Sequence, residues 1–592
     1  MVGHLRRALS ALGVLGIVAT LLAGCGGART AGLPAAAPAP PRGGAAKQRV
    51  TLRIGIPKRS GSGVARHPQY ISPATTQMTV NVQTGCPGAC TSVGGFPQTV
   101  ALTTSSGNCT STLASTNCTL TMALGAGSYV MTLTTQDAGG TALSTAQGVP
   151  VTVLEGEANT ISASLSGIPE TIVAALVGAT GPVLINALDA DGNIIVGPGA
   201  PTYSVAATGG VAVTLVQPPT TQPNLFGATL ASAGTADLTV TASYNGSGVT
   251  NACTQSGAVC SENIQLTATA PPLASINTTA GTVSVLDSPY SSAAATISSG
   301  LNFPLAAVFN SGNDLFVSNQ TGIIQEYAPP YTGGPIASIN VGCVVLSLAV
   351  DAEDDLYAAT SNCNEVYVSP PPYTSGFTIT SGISKAYAAM ITPSGDLVVV
   401  NTPSSGDSMV IFTPPFSAAS TPTATVTTNI VGVNALATDD LSDIFVADGT
   451  LNAVEFFQAP YTQTTYEALS GATLNNPYGM ALDTSGDLFV ANSAGSGTNA
   501  NTVIEFGSSI TTISSGIHEP TSIAVSSFGA LAVDNFGNGT MTIYSSPYST
   551  PSATDSVAGT ASVSEAQQLA FGQATLTLTM RGSRSCSGCV PA

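Results

Sequence analysis

Apolar and polar positions in the C-terminal half of the chain follow a grammar that repeats. Residues 474–492, LNNPYGMALDTSGDLFVAN, hold an apolar run at 479–482, turn residues at 483–486 and a second apolar run at 488–491. This reads as strand, turn, strand: one hairpin. A leucine or isoleucine just after each turn marks the same phase at Leu315, Leu356, Leu397, Ile444, Leu488, Leu531 and Leu576, with spacings of 41, 41, 47, 44, 43 and 45 residues. Between these cores runs a Pro-aromatic pair: Pro289-Tyr290, Pro330-Tyr331, Pro372-Tyr373, Pro415-Phe416, Pro460-Tyr461 and Pro547-Tyr548. A degenerate copy, IEFGSS at 504–509, fills the double gap before the last pair. Each period therefore holds two hairpins' worth of strand, the content of one four-stranded propeller blade. The array opens with a Pro-Tyr half (281–300) and closes with a hairpin half (569–580). If the two halves pair, strands from both ends close a ring of seven blades and no exposed sheet edge remains; if not, the count is six.

Upstream the period shortens to that of single strands. Segments at 78–82, 99–104, 119–124, 129–135, 151–154 and 159–165 alternate apolar with polar, and the style returns at 183–188, 236–244 and 263–269. Two small β-sandwiches are expected, 67–167 and 168–270, with Pro271-Pro272 marking the boundary to the repeats. The fold class is all-β: two sandwiches followed by a propeller at 271–580 and a tail at 581–592.

The motifs GMALDTSGDLFVAN and SIAVSSFGALAVDN resemble NHL-type repeats, and residues 275–580 resemble an NHL-like six- or seven-bladed β-propeller. Both sandwiches resemble bacterial Ig-like modules, although tryptophan is absent from the chain, so the Cys-Trp-Cys signature of antibody domains is missing. The propeller resemblance implies a fold more than a function, because such rings serve as binding scaffolds, lyases and lactonases alike.

Composition sharpens this. Charged residues are only 7% of the chain, and they are segregated. Ten of thirteen Lys and Arg lie in the first 66 residues, where no Asp or Glu occurs; removing that +10 segment from the formal −18 leaves −28 for the rest. A body so acidic repels a phosphate backbone, which excludes nucleic acid as the expected partner. Residues 1–25 have Arg6 and Arg7, an uncharged apolar run from 8 to 23, and then Leu22-Ala23-Gly24-Cys25. The charge and apolar run read as a secretory signal peptide. Its end resembles a bacterial lipobox, which implies cleavage before Cys25 and a diacylglyceryl group on that thiol. An ordinary cleaved signal and an uncleaved anchor are the competing readings. Residues 26–66, rich in Ala, Pro, Gly and basic residues, read as a disordered tether that lies in solvent or against anionic headgroups. A bacterial cell-envelope, extracytoplasmic location follows, periplasmic or surface.

Setting Cys25 aside leaves ten cysteines, an even number in an exported chain. Proximity in sequence pairs Cys86 with Cys90, Cys109 with Cys118, Cys253 with Cys260, Cys343 with Cys363, and Cys586 with Cys589; Cys86 and Cys90 have the alternative of linking elsewhere.

The resemblance to propeller lyases and lactonases implies a central metal held by His and carboxylates. Of three histidines only His518 lies in the repeats, so a His-based metal enzyme is disfavoured. Acidic clusters occupy three turns: 351–355, with Asp354 and Asp355; 439–443, with Asp440 and Asp443; and 189–193, with Asp189 and Asp191. Clustered carboxylates and turn carbonyls suit Ca²⁺, whereas Asp, Asn and Gly also favour β-turns for backbone reasons alone; no EF-hand-like ligand closes these loops. No GxSxG, Walker or HExxH motif is present, and the Cys586–Cys589 CxxC lacks strand-helix context. The leading expectation is a monomeric, non-enzymatic, lipid-anchored protein whose propeller binds a protein or glycan. A carboxylate-based lyase or lactonase with a divalent cation, and a surface adhesion or envelope-structural role, are the alternatives.

Overall fold

A computed structural model describes residues 46–58, 71–86, 89–178, 181–244, 258–461, 466–493, 497, 499–555, 569–581 and 585–587. Among the described residues all regular structure is strand, apart from two short 3-10 turns. The signal segment, Cys25, most of the 26–66 tether, Cys253 and Cys589 lie outside them. The described residues divide into two compact units: those within 270–575 form one, and those within 46–269 and 576–587 form the other.

The first sandwich packs two sheets around one apolar core. In one sheet the neighbours are Cys109–Ser111, Ser115–Leu124, Gln48–Pro57 and Asn159–Ile161; the other is built on Ala142–Val153, Gly127–Gln136 and Gln77–Thr84. Gln48–Pro57 corrects the expected tether. Its sequence, QRVTLRIGIP, alternates, burying Val50, Leu52, Ile54 and Ile56 while Arg49 and Arg53 face outward. Period-two burial wins over basic composition because only one face of an antiparallel sheet needs to be apolar. The second sandwich sets Thr171–Leu176, Val183–Leu188, Leu225–Leu230 and Val213–Val216 in one sheet, and Thr202–Gly210, Gly234–Tyr244 and Ala258–Thr269 in the other.

Residues 270–575 form a β-propeller. Its described residues make seven four-stranded antiparallel sheets, which we number as blades: one (304–340), two (345–379), three (386–426), four (433–468), five (477–513), six (520–555), and a seventh that joins 273–297 to 569–571. The first strands of consecutive blades lie against one another, and Leu569–Phe571 lies against the first strands of both blade six and blade one. The ring is thereby closed. Second strands such as Leu315–Asn319, Leu397–Asn401 and Leu488–Asn492 are buried at every position. That explains their unbroken apolar runs, since each is packed on both faces.

Closure differs from the expected pairing of two half-blades. Three strands from the N-terminal side, Leu273–Asn277, Thr282–Leu286 and Ala293–Ile297, receive one from the C-terminal side, Leu569–Phe571, with Leu273 opposite Phe571. Thr575–Met580, the other half of the expected hairpin, instead pairs with Ala258–Thr269 in the second sandwich, taking Leu576 with it. The physical reason is legible in TLTLTM. This strand alternates and is exposed on one face, whereas a blade's second strand is buried on both. Leu273, in LASIN, fills the slot assigned to Leu576. The propeller is thus an insertion between two hydrogen-bonded neighbours of the second sandwich.

Candidate functional site

In a propeller the places where ligands can meet the ring are its axial wall and its two loop faces, so the site is built from these. The wall is made by the innermost strands Pro304–Phe309, Val345–Val350, Ala386–Ile391, Val433–Thr438, Pro477–Leu482, Pro520–Val525 and Leu569–Phe571. None of them contains an Asp, Glu, Lys, Arg or His. Their partly exposed positions are mainly apolar, among them Val308, Leu346, Met390, Leu436 and Val525.

One face carries the turns between the first and second strands of each blade, and here the acidic clusters find their use. Asp351 Oδ1 accepts the amides of Glu353 and Asp355 at 3.1 and 2.8 Å, and its Oδ2 accepts the Tyr357 hydroxyl at 2.8 Å. Asp439 does the same for Leu441 and Asp443, and Asp483 for Ser485 and Asp487. In the second sandwich Asp189, buried, accepts the amides of Asp191 and Asn193 at 3.0 and 2.8 Å. These are side chains folding their own turns. Asp354 reaches across to blade one, accepting the Ser311 amide at 2.8 Å and its hydroxyl at 2.6 Å. Burial, then the charges of Asp351 and Glu353, pushes the Asp355 carboxyl up. Asp440 is exposed and Asp443 buried.

The Pro-aromatic pairs secure the same turns. All six prolines follow a cis peptide bond, and the five tyrosines after them have positive φ. The hydroxyls of Tyr331, Tyr373, Tyr461 and Tyr548 donate to the carbonyls of Asn313, Asp354, Ser442 and Gly529, each the fourth residue of its blade's turn. Tyr290 donates to Pro271. Burial raises these phenols, that of Tyr548 to about 12, so they stay protonated donors. Tyr373 and Tyr548 also pack edge-on against Phe316 and Phe489 of the preceding blade, at 4.8 and 5.1 Å between ring centroids. The marker read from the sequence is a clasp between turn, strand and neighbouring blade.

The opposite face is organised by a residue that sequence reasoning passed over, the polar end of each second strand. Asn319, Asn401, Asn492 and Asn535 each accept, through Oδ1, the backbone amide seventeen residues upstream: Asn302, Ser384, Asn475 and His518. The signal was visible as the final Asn of LFVSN, LVVVN, LFVAN and LAVDN. In blade four an aspartate takes the slot. Asp448 is fully buried and accepts four amides, those of Val431, Gly432, Thr450 and Leu451. Beside it Glu455, also buried, has its Oε2 without a hydrogen-bond partner, and burial followed by the Asp448 charge raises its carboxyl. Asp534 in blade six is buried as well; burial pushes its carboxyl to about 7, against a hydrogen bond from Thr521. His518 is exposed on its loop.

The one group of three or more His, Cys, Asp or Glu ligand atoms close enough to share an ion, among the described residues, is Cys343, Cys363 and Glu365. Its two sulfurs are bonded to each other, so they cannot serve as thiolates. Disulfides also join Cys86 to Cys90 and Cys109 to Cys118. Three bridges place the chain in an oxidising, extracytoplasmic setting. No described helix is long and apolar enough to cross a membrane.

No family model matches the chain, and no curated protein matches it. Solved structures resemble it at the level of the propeller. A functionally unknown protein from Desulfotomaculum acetoxidans is 11% identical, over 51% of this chain and 98% of its own, with a TM-score of 0.41. Virginiamycin B lyase from Staphylococcus aureus is 12% identical over 41% of this chain and 82% of its own, TM-score 0.31. The WD40 β-propeller domain of Doa1 is 14% identical over 47% and 85%, TM-score 0.34. At these identities no activity passes from them to this chain.

Proposed function

We propose that this protein is a non-enzymatic, lipid-anchored, extracytoplasmic binding scaffold, in which the propeller loops meet a protein or glycan partner. The observation that carries the reading is the uncharged axial wall: seven innermost strands without an Asp, Glu, Lys, Arg or His, their only titratable side chains being the phenols of Tyr387 and Tyr478. General acid–base and metal-assisted chemistry need such groups converging on a substrate. Among the described residues the propeller's buried acids, Glu326, Asp443, Asp448, Glu455 and Asp534, lie instead on second strands, third strands or a turn, and Asp448 and Asp534 already accept hydrogen bonds. Loops, which vary between blades without disturbing strand cores, supply the binding face. Cys25 supplies the anchor, and 26–45 the spacer.

The test has three arms. Equilibrium binding of the purified chain to fractionated envelope glycans and envelope proteins should give saturable retention that survives EDTA. Turnover of a lactone or a cyclic ester that is lost in Asp534→Asn or Glu455→Gln would overturn the scaffold reading. Metabolic labelling with a radioactive fatty acid should mark the wild type and not Cys25→Ser.

A further inference from the structure

The C-terminal tail continues past Thr575–Met580 along the same edge of the second sandwich. The Arg581 amide donates to the Asn263 carbonyl at 2.7 Å. Ser585–Ser587 then pairs antiparallel with Ala258–Thr269, in a register that sets Val259 opposite Ser587, Cys260 opposite Cys586 and Ser261 opposite Ser585. This register bears on two of the sequence-adjacent pairs expected above, Cys253 with Cys260 and Cys586 with Cys589. It brings one member of each to directly opposed positions on neighbouring strands.

We infer that Cys260 and Cys586 form a disulfide that joins the two ends of the propeller insertion. Directly opposite residues of an antiparallel pair have Cα atoms about 4.5 or 5.5 Å apart, and both spacings fall in the range of about 4.4 to 6.8 Å that a disulfide spans. The chain supplies its own precedent. Cys109 and Cys118 stand in the same relation, directly opposite on the neighbouring strands Cys109–Ser111 and Ser115–Leu124, and they are bonded. The chemistry balances with a thiol–disulfide oxidant of the export compartment. One thiolate attacks the oxidant's disulfide to give a mixed disulfide, the second displaces the oxidant's remaining sulfur, and the oxidant leaves as a dithiol carrying the two protons that the cysteines gave up. The bridge encloses everything from 261 to 585. It therefore closes far more chain than any of the three local bridges, and the unfolded-state entropy it removes is correspondingly larger. A cut within the propeller would leave the protein in one covalent piece.

Peptide mapping of the full exported chain tests this. Free thiols are blocked under denaturing conditions, the protein is digested with pepsin without reduction, and cross-linked peptides are identified by mass. The wild type should give a peptide containing Cys260 joined to one containing Cys586, released by reduction. The double variant C253S/C589S, which removes both sequence-adjacent partners, should retain that link with no blocked thiol at 260 or 586. Cys253–Cys260 and Cys586–Cys589 links in the wild type, or blocked thiols at 260 and 586 in the double variant, would overturn the inference. Should the double variant fail to accumulate, the wild-type map decides by itself.

Discussion

Asp354 of blade two holds Ser311 of blade one by two hydrogen bonds, to the serine amide at 2.8 Å and to its hydroxyl at 2.6 Å. A carboxylate that the sequence offered as a calcium ligand is thus engaged as a clasp between neighbouring sheets. Asp354→Ala removes both bonds, and we expect a loss of about 3 kcal/mol, since each bond to a charged acceptor contributes ~1.5 kcal/mol at the low end, where exposed bonds lie. Urea unfolding of the full chain measures it; an unchanged midpoint would make the clasp dispensable.

The same accounting predicts the response to divalent ions. Asp351, Asp439 and Asp189 each commit Oδ1 to the amide four residues on in their own turns. Melting in EDTA and then in millimolar Ca²⁺, Mg²⁺ or Mn²⁺ should give the same midpoint, because a ligand raises it only by binding the native state. A rise abolished by Asp355→Asn or Asp443→Asn would establish the turns as metal sites.

Tyr331, buried, donates its hydroxyl to the Asn313 carbonyl at 2.7 Å. Tyr331→Phe should cost about 1 kcal/mol, the usual net worth of one neutral bond, while preserving the ring's packing. Phe416 already occupies the corresponding slot in blade three, so the fold tolerates the change. A loss of several kcal/mol would mean that the hydroxyl also orders the neighbouring blade.

Asp534 gives the chain a pH dependence with a definite sign. Burial lifts its carboxyl from 3.8 to about 7, so the native state holds this proton more tightly than the unfolded chain does. Its contribution is fully present below about pH 4 and declines as pH rises. Above about pH 7 the whole penalty is felt, on the order of 4 kcal/mol for three pKa units. Asp534→Asn should therefore melt like the wild type near pH 4 and above it at pH 8. Parallel midpoints across that range would count against a neutral buried acid.

Ring closure by Leu569–Phe571 separates two truncations. Ending the chain after residue 574 keeps the closing strand and removes only the sandwich edge strand. Ending it after residue 555 leaves Leu273–Asn277 paired with Thr282–Leu286 alone, without Leu569–Phe571, and opens the ring. Calorimetry should retain the propeller transition in the longer variant and lose or broaden it in the shorter. Equal transitions would show that the closing strand contributes little.

The repeat, the all-β class and the Pro-aromatic marker were legible because burial on both faces writes unbroken apolar runs and because turns demand Asp, Asn and Gly. Three of the proposed disulfides were legible because their cysteines are close in sequence. The Asn caps were also on the page, as the last letter of LFVSN and its copies, but a single polar residue after an apolar run reads equally as the end of a strand. Which strand enters which sheet was another matter. QRVTLRIGIP and TLTLTM are ordinary alternating strands, and nothing local says whose edge they extend.

Taken alone, the sequence determined strand, turn and repeat, which depend on neighbours a few residues away. Partners far apart in the chain were decided only by tertiary structure: Leu273 with Phe571, Ser311 with Asp354, and Cys260 opposite Cys586. The reason is that backbone pairing is chemically uniform. Any strand can hydrogen-bond to any other, so the choice falls to which faces are left to bury once the ring has closed.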